Sequence, residues 1–385
     1  MKLRIAILLL SGVGYGLGAA LLSTDDGPTP AKVESLEPKY FKDLGAKRVK
    51  ITYGPYVVPG NADPETHGMK LFQDMNAMMP CHECLITQYT ADLQFINGTS
   101  ANANKNMWLH HIGLMNLHRT DAACEEWPER MSINGNERSP VDMTIKGTRK
   151  AGYYLRKDDQ ILLSTDAMNL HPQAQTVTLV MEWEYIPGTP DDFDIAVPVW
   201  LDLRGACLNE SRGARESDLV FDAKTTSPWI SQFAGDLILM VPHIHDGNTK
   251  QEVYLNGKLV CRNVPGYGET SGYITHLEGT GEHHDHGKDS HVLHVSSVSQ
   301  CRNVGKVVPG DKFSLTSFYN MTEHTPMMNH DGSFETIMGI EFLHFARPRD
   351  EVVKEILAMK PGSLQSFLDW VTELDAQPPV FPLHS

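Results

Sequence analysis

The sequence predicts an all-β protein that ends in a short helical tail. Apolar or alternating segments of strand length recur along most of the chain, and Gly, Pro, Asn and Asp separate them. Asn256-Gly257 lies between two strand-like flanks and indicates a tight hairpin. Helical periodicity is found only in 350–360 and 363–374, as two short helices. Many short strands with little helix indicate β-sandwiches or barrels.

The strand-like segments fall into two groups on either side of a turn-rich stretch. This stretch reads IPGTPDD and covers residues 186–192. We expect one strand-rich domain over 24–187, a second over 188–348 and the helical tail over 349–385. The segments are AKRVKITYGPYVV, HECLITQYTADLQFI, NMWLHHIGLMNLH, TVTLVMEWEYI, DLILMVPHIHD, QEVYLNGKLVCRNV, KFSLTSFYNM and IMGIEFLHF.

Length and charge exclude some classes of partner. The 385 residues are enough for two domains, and 41% of them are hydrophobic, which allows a sizeable core. The formal net charge of −15 argues against binding to a nucleic-acid backbone and against docking on anionic lipid. The chain is expected to be a monomer.

The N-terminus indicates secretion. Lys2 and Arg4 precede an apolar run that ends in small residues, a pattern typical of a signal peptide over residues 1–23. An uncleaved anchor is disfavoured because four glycines interrupt the run. No stable membrane insertion is expected after cleavage. Sequons at Asn97, Asn209 and Asn320 agree with an extracellular glycoprotein.

Six cysteines in an oxidising compartment predict three disulfides. The Cys81-His-Glu-Cys84 motif has no second CxxC, so a zinc knuckle is disfavoured and its cysteines are expected to have separate partners. We expect Cys261 to pair with Cys301, since both lie at the ends of strand-like segments. Cys84 is then expected to pair with Cys124, and Cys81 with Cys207.

Histidines occur in two strand segments in patterns that suit metal binding. In WLHHIGLMNL, His110 and His111 are adjacent, so their rings diverge unless a bulge re-aims one of them. In VPHIHDG, His243 and His245 are two residues apart, and this spacing puts both rings on one face of a strand. His171 precedes another strand and is a further candidate ligand.

Copper is the metal that these residues favour. Imidazole suits zinc, copper, iron and nickel, whereas a thioether selects reduced copper. No carboxylate is an obvious partner of the histidines, which weakens an iron site. Three methionines, Met327, Met328 and Met338, lie downstream of His-Ile-His and are candidate thioether ligands. The order of His-His, His, His-x-His and Met is the order that a two-copper protein needs.

With these motifs, the chain resembles the ascorbate-dependent type II copper monooxygenase superfamily. The superfamily includes the peptidylglycine hydroxylating enzyme and dopamine beta-hydroxylase, and the nearest resemblance is to the stress-up-regulated nodulin family of secreted proteins. The resemblance covers roughly residues 50–346 and rests on WLHHIGLMNL, MNLHPQ, VPHIHDG, LVCRNVPGYGETSGYI and IMGIEFLHF. It implies two tandem jelly-roll-like β-sandwich domains that face each other across a cleft. The short C-terminal helical tail follows the second domain.

The resemblance also implies two copper ions per chain. One ion is expected at His110, His111 and His171. The other is expected at the catalytic set of His243, His245 and Met338. The implied reaction is hydroxylation of an organic substrate with dioxygen and an external reductant of the ascorbate type. The alternative is a secreted protein of the same fold that binds or sequesters copper without catalysis.

The sequence departs from the peptide-amidating enzyme where substrate binds. Val241 stands where that enzyme has an arginine for the peptide carboxylate, and Ile340 and Phe342 replace its polar anchors. A peptide ending in glycine is therefore a disfavoured substrate, and the small molecule or peptide that binds is not indicated. The histidine-rich segment 282–294 is either a copper-binding tract or a surface loop.

Overall fold

The computed structural model describes residues 31–203, 212–213, 219–276, 291–326, 334 and 336–363. Several features predicted from the sequence lie outside these residues. They are the signal segment 1–23, Cys207, the sequon at Asn209, Met327, Met328, residues 282–290 of the histidine-rich segment, and nearly all of the second helix.

The first part of the chain is built from ten strands in the described residues. They are β1 (Ala31–Leu36), β2 (Lys47–Val58), β3 (Met69–Asp74), β4 (Cys84–Phe95), β5 (Met107–Thr120), β6 (Pro128–Asn134), β7 (Val141–Asp142), β8 (Ala151–Leu155), β9 (Ile161–Asn169) and β10 (Gln175–Pro187). Short 3-10 turns at Lys42–Leu44 and Ala103–Lys105 connect some of them.

The second part also consists of strands, followed by one α-helix in the described residues. The strands are β11 (Asp194–Asp202), β12 (Arg212–Gly213), β13 (Val220–Lys224), β14 (Trp229–Ile230), β15 (Gly235–Ile244), β16 (Asn248–Leu255), β17 (Lys258–Asn263), β18 (Pro265–Tyr267), β19 (Ile274–His276), β20 (His291–Leu293), β21 (Val295–Val298), β22 (Cys301–Val307), β23 (Lys312–Asn320), β24 (Thr336–Ile337) and β25 (Gly339–Arg347). The helix α1 is Arg349–Ala358, and a 3-10 turn occupies Ser271–Tyr273. The predicted all-β sandwich class is confirmed, as is the first helix.

One large sheet runs through both parts. Among the described residues its order is β1-β2-β10-β4-β8-β11-β25-β15-β22, with β7 beside β4. The two parts join where β8 and β11 pair in parallel over two residues each. A four-stranded sheet, β3-β9-β5-β6, belongs to the first part, and β13-β23-β16-β17, with β14 beside β23, belongs to the second. The predicted boundary at 187/188 falls between β10 and β11 and stays a prediction.

The apolar cores follow the alternation of the strands. Leu109 and Ile112 of β5 point into the core of the first part. Val241 of β15 and Phe342 of β25 belong to the same core, although both strands lie in the second part. Leu343, the next residue on β25, faces the second core instead. The face of β15 that carries Val241 is therefore turned toward the first part of the chain.

The predicted hairpin is confirmed. Leu255 pairs with Lys258, and the two residues between them, Asn256 and Gly257, have φ of 51° and 78°. Both values lie in the left-handed region that a two-residue type I′ turn requires. No helix in the described residues has the length and hydrophobicity that a transmembrane span needs.

The disulfides confirm one expected pair and correct another. Cys261 and Cys301 are bonded, with Cα atoms 5.8 Å apart, as predicted. Cys81 is bonded to Cys84, so the expectation of separate partners for these two cysteines was wrong. Glu83, with a φ of 60°, turns the chain between them, which lets neighbouring thiols meet. Cys124 is also disulfide-bonded, but its predicted pairing with Cys84 does not occur.

Candidate metal centre

His110 and His111 lie on β5 where a bulge interrupts its pairing with β9. Leu109 opposes Ala167 and His111 opposes Asp166, so the register shifts at His110. A bulge of this kind leaves one extra residue and re-aims its side chain. The two ring centroids are consequently only 4.0 Å apart. Adjacent histidines on a strand need such a bulge if both are to reach one site, and β5 has one at His110.

His243 and His245 lie at the end of β15. His243 opposes Ile340 of β25, and His245 follows Ile244, the last residue of the strand. The two rings have centroids 5.5 Å apart, and His243 is only 2% exposed. The pair therefore stands where β15 leaves the large sheet, on the side turned toward the first part of the chain.

The two pairs meet in one group of imidazoles, called here the four-histidine cluster: His110, His111, His243 and His245. Nε2 of His111 lies 3.2 Å from Nε2 of His245. Ring centroids of His111 and His243 are 5.0 Å apart, and those of His110 and His245 are 5.5 Å apart. One ring nitrogen from each of His110, His111 and His245 lies within 4.8 Å of the other two. Donor atoms from both parts of the chain thus converge on one point.

Two carboxylates orient these rings from behind. Asp166 Oδ2 is 2.7 Å from Nδ1 of His110 and 3.6 Å from Nδ1 of His111. Glu137 Oε1 accepts from Nδ1 of His243 at 2.9 Å. A carboxylate on one ring nitrogen fixes the tautomer and directs the other nitrogen toward a metal. The sequence analysis missed both residues, although Asp166 lies on β9 only five positions before His171.

One donor atom in the cluster has no hydrogen-bond partner. Nε2 of His243 is buried and makes no hydrogen bond in the described structure. An unsatisfied buried nitrogen is costly, so it needs an explanation such as an ion. Gly135 packs against this ring so closely that an added Cβ would lie 2.6 Å from His243 Cε1. The position of His243 is therefore tightly defined.

The pKa values of His111 and Asp166 are both shifted in the directions that favour binding of a cation. Burial, together with the charges of His110, His243 and His245, lowers the pKa of His111 well below its ordinary value. Burial raises the pKa of Asp166, but the charge of His110 and the hydrogen bonds from both histidines outweigh it and lower the pKa overall. A neutral imidazole beside an ionised carboxylate is the state that binds a metal ion.

His171 is not part of the four-histidine cluster as the described residues are arranged. It lies two residues beyond the end of β9. Its backbone nitrogen donates to Asn169 Oδ1 at 2.9 Å, and its carbonyl accepts from the nitrogen of Asn61 at 2.7 Å. These contacts fix the loop, and from β9 the carboxylate of Asp166 contacts His110 and His111.

Met338 lies between β24 and β25, immediately before Gly339, the residue that pairs with Ile244 of β15. Ile340 opposes His243, and Met338 is two residues earlier, so strand alternation puts its side chain on the same face. The side chain is partly buried and packs on the first core, and Tyr319 donates to its carbonyl at 2.7 Å. Of the predicted ligands, four form the cluster and Met338 is placed beside it.

A buried Asp-His pair connects the two sides of the cluster. Asp246, the residue after His245, accepts from Nδ1 of His294 at 2.6 Å. The His294 ring meets Trp108 edge to face, with centroids 4.4 Å apart. Trp108 precedes His110 by two residues. His294, at the described end of the histidine-rich segment, therefore has a structural role in contacting Asp246 and Trp108. Sequence reasoning gave no signal for this contact.

The solved structures that match this chain do so only with low TM-scores. PNGase F, a glycosylasparaginase from Flavobacterium meningosepticum, matches with a TM-score of 0.37 and 10% identity, over 78% of this chain and 97% of that one. A score this low supports no inference about fold or function. No family model matches the chain.

Two sequence relatives carry names that agree with the cluster. The probable copper-dependent oxygenase M1 of a Phoma species is 34% identical over 301 residues, which cover 77% of this chain and 72% of the relative. The probable copper-dependent oxygenase clz3 of Cochliobolus lunatus is 33% identical over 260 residues, which cover 67% of this chain and 78% of the relative. The chain belongs to this family of copper-dependent oxygenases.

Proposed function

We propose that the protein is a secreted copper-dependent monooxygenase, which hydroxylates an organic substrate with dioxygen and an external reductant of the ascorbate type. The observation that carries the proposal is the four-histidine cluster, in which Asp166 orients His110 and His111 and Glu137 orients His243. The names of the relatives supply the metal and the class of reaction. Copper type II monooxygenases, which the sequence resembles, supply the reductant.

The residues present fit copper. Imidazole nitrogens are good ligands for this ion, and a thioether such as that of Met338 stabilises its reduced state. The buried Nε2 of His243 has no hydrogen-bond partner, and its lone pair would be satisfied by coordination to a bound ion. The lowered pKa of His111 keeps that ring neutral at pH 7, so protons do not compete with the metal.

The reaction balances only with an added reductant. Hydroxylation converts a C–H bond to C–OH, one oxygen atom of dioxygen enters the product, and the other leaves as water. This consumes two electrons and two protons, and ascorbate supplies the electrons as it is oxidised to dehydroascorbate. Copper, when bound, activates the dioxygen. The protein's own part is to keep His111 neutral by burial and to align the rings of His110, His111 and His243, as Asp166 and Glu137 do.

Two ions per chain are part of the proposal, one for each histidine pair, as the resemblance implies. Met338 supports an ion at His243 and His245, since it lies on the same face of the large sheet. The closest convergence of donor atoms, however, involves His110, His111 and His245. His171 completes the first set only if its loop approaches the pair on β5.

A peptide held by its terminal carboxylate is a disfavoured substrate. Val241, Ile340 and Phe342 are each no more than 2% exposed and belong to the first core. None of these positions offers a cation, and a carboxylate buried there would lack a partner. A neutral organic substrate that presents a C–H bond fits this surrounding better.

Secretion is proposed from the chemistry of the cysteines and the N-terminal pattern. Cys81 with Cys84 and Cys261 with Cys301 are bonded pairs, which suit an oxidising compartment. The sequon residue Asn97 lies in an exposed turn, where a glycan would meet no obstacle. A glycosylated monomer in the extracellular space is therefore the proposed form.

Oxygen consumption tests the proposal. Copper-loaded protein, freed of unbound copper, is given ascorbate, and oxygen uptake is followed with peroxide or product formation. We expect uptake that is lost in His111→Ala and kept in the surface variant Glu125→Gln. Copper binding without ascorbate-driven uptake would instead support the alternative, a secreted copper-binding protein without catalysis. The burial of His243 is the feature that favours this alternative.

A further inference from the structure

We infer that His245 is the third histidine ligand of the copper ion held by His110 and His111. It takes the place that the resemblance gives to His171, and it does not belong to the set of His243 and Met338. The ion would then be bound by β5 of the first part of the chain and by the end of β15 of the second part. The inference takes the identity of the metal from the proposed function, but it concerns only which side chains bind the ion.

The spacing of the donor atoms is that of ligands on one ion. Nε2 of His111 and Nε2 of His245 are 3.2 Å apart. Imidazole nitrogens bind a divalent ion at about 2.0–2.1 Å, so two nitrogens at this separation can both reach one ion. A ring nitrogen of His110 lies within 4.8 Å of both other donors, which allows a three-ligand set.

The orientation of the rings supports the same assignment. Asp166 lies against Nδ1 of both His110 and His111, at 2.7 and 3.6 Å. Because Nδ1 of His111 faces this carboxylate, its Nε2 is the atom that reaches His245. A carboxylate behind a histidine is typical of metal ligands. One carboxylate therefore orients two of the three proposed ligands toward the third.

The strands that carry these histidines are docked by contacts that do not involve them. Asp246 binds His294 at 2.6 Å, and His294 packs on Trp108. Asp246 follows His245 directly, and Trp108 precedes His110 by two residues. The backbone on either side of the proposed site is thus held together independently of the metal, so a shared site requires no movement of the two parts.

His171 is anchored elsewhere. Both its backbone nitrogen and its carbonyl are engaged, by Asn169 and Asn61, beyond the end of β9. An added Cβ on Gly60 would lie 2.2 Å from the carbonyl oxygen of Pro172, so this loop packs tightly on the 60–61 turn. Along a strand, the three residues from Asp166 to Asn169 already span about 10 Å. Among the described residues, His171 is not in the group of donor atoms that His110, His111 and His245 form.

The test compares His245→Ala and His171→Ala in the full-length protein, with Cu(II) alone as the probe. Affinity is measured by competition titration, and the number of nitrogen ligands by electron paramagnetic resonance of protein loaded with one equivalent. We expect His245→Ala and His111→Ala to weaken binding at least about 10-fold and to lose one nitrogen each. His171→Ala is expected to bind copper as wild type does. The control variant His118→Gln, which lies on β5 like His111, is expected to do the same.

Loss of copper in His171→Ala with an unchanged spectrum in His245→Ala would overturn the inference in favour of two separate sites. Near-UV circular dichroism checks that each variant is folded, and His245→Gln, which keeps a polar side chain, replaces His245→Ala if that variant is not. The inference would also be overturned if His245→Gln bound copper with the wild-type affinity and the wild-type number of nitrogen ligands. Wild-type protein that binds copper through three histidines but consumes no oxygen would refute the proposed activity and leave this inference standing.

Discussion

Glu137 accepts a hydrogen bond from Nδ1 of His243 at 2.9 Å, although the two residues are 106 positions apart. Glu137 follows β6 in the first part of the chain, and His243 lies on β15 in the second. Both side chains are almost fully buried. A carboxylate from one part of the molecule therefore sets the orientation of a candidate ligand in the other part, and the metal centre depends on how the two parts pack.

Glu137→Gln is expected to weaken copper binding. The amide can still accept a hydrogen bond, but it removes the charge that stabilises a metal-bound imidazole, and losses of about 10–100-fold are typical of such changes. Competition titration with Cu(II) measures the affinity. Glu125→Gln, which changes an exposed carboxylate, serves as the control. Equal affinities in Glu137→Gln and wild type would show that the hydrogen bond has no part in metal binding.

Gly135→Ala is expected to displace His243. The new Cβ would lie 2.6 Å from His243 Cε1 and 2.9 Å from the backbone carbonyl oxygen of His110, and neither neighbour gives way easily. Overpacking of this kind costs about 1–3 kcal/mol of unfolding free energy. We expect a lower melting temperature and weaker copper binding. At Gly113 the nearest atom to an added Cβ is 3.8 Å away, so Gly113→Ala should lack the steric penalty.

The sequence predicted the strands and the hairpin because their signals are local. Alternation along β5 and the Asn256-Gly257 pair depend only on neighbouring residues. The same locality explains the error at Cys81 and Cys84. Their pairing depends on the left-handed backbone conformation of Glu83, which turns the chain between the two cysteines. Glutamate has no preference for that conformation, so the sequence does not predict it.

The cluster itself required information that the sequence does not contain. His-His and His-x-His identified four of its members, but which pairs share an ion depends on how β5 packs against the end of β15. Asp166 was missed because a bulge at His110 decides which residue of β9 faces the histidines. Long-range packing and register are set by the whole fold, so they cannot be deduced from spacing along one strand.

Stability should depend on pH through Glu341. Burial raises the pKa of this carboxyl to about 8, although Gln251 donates to Oε2 at 2.7 Å. The folded protein therefore holds a proton that the unfolded chain, with a pKa near 4.5, releases. Stability from this group is present below pH 4.5 and is lost as the pH rises toward 8.

Glu341→Gln should consequently flatten the fall of unfolding free energy between pH 4.5 and 8. Urea titrations at several pH values measure it, with the exposed Glu37→Gln as the matched control. A slope in Glu341→Gln as steep as that of wild type would contradict the assignment and point to another buried carboxyl.

Removal of the Cys261–Cys301 disulfide should destabilise the second part of the chain. The bond closes a loop with a sequence separation of 40 residues. On the chain-entropy model such a loop contributes about 3–4 kcal/mol. We expect Cys261→Ser with Cys301→Ser to lower the unfolding free energy by this order, as measured by denaturant titration. An unchanged midpoint would mean that contacts other than the disulfide hold β17, which carries Cys261, close to β22, which carries Cys301.

Met338 separates binding of oxidised copper from turnover. The thioether lies on the face of the large sheet that carries His243, and it favours the reduced ion that meets dioxygen. Met338→His keeps a strong ligand for Cu(II), so copper should still bind to the oxidised protein while ascorbate-dependent oxygen uptake falls steeply. Met338→Leu, which nearly conserves volume, should lower uptake without disturbing the fold, and the exposed Met78→Leu should leave uptake unchanged. If both Met338 variants turn over as wild type does, and Met327→His or Met328→His does not, the sulfur ligand is one of those two residues and the proposed role of Met338 is wrong.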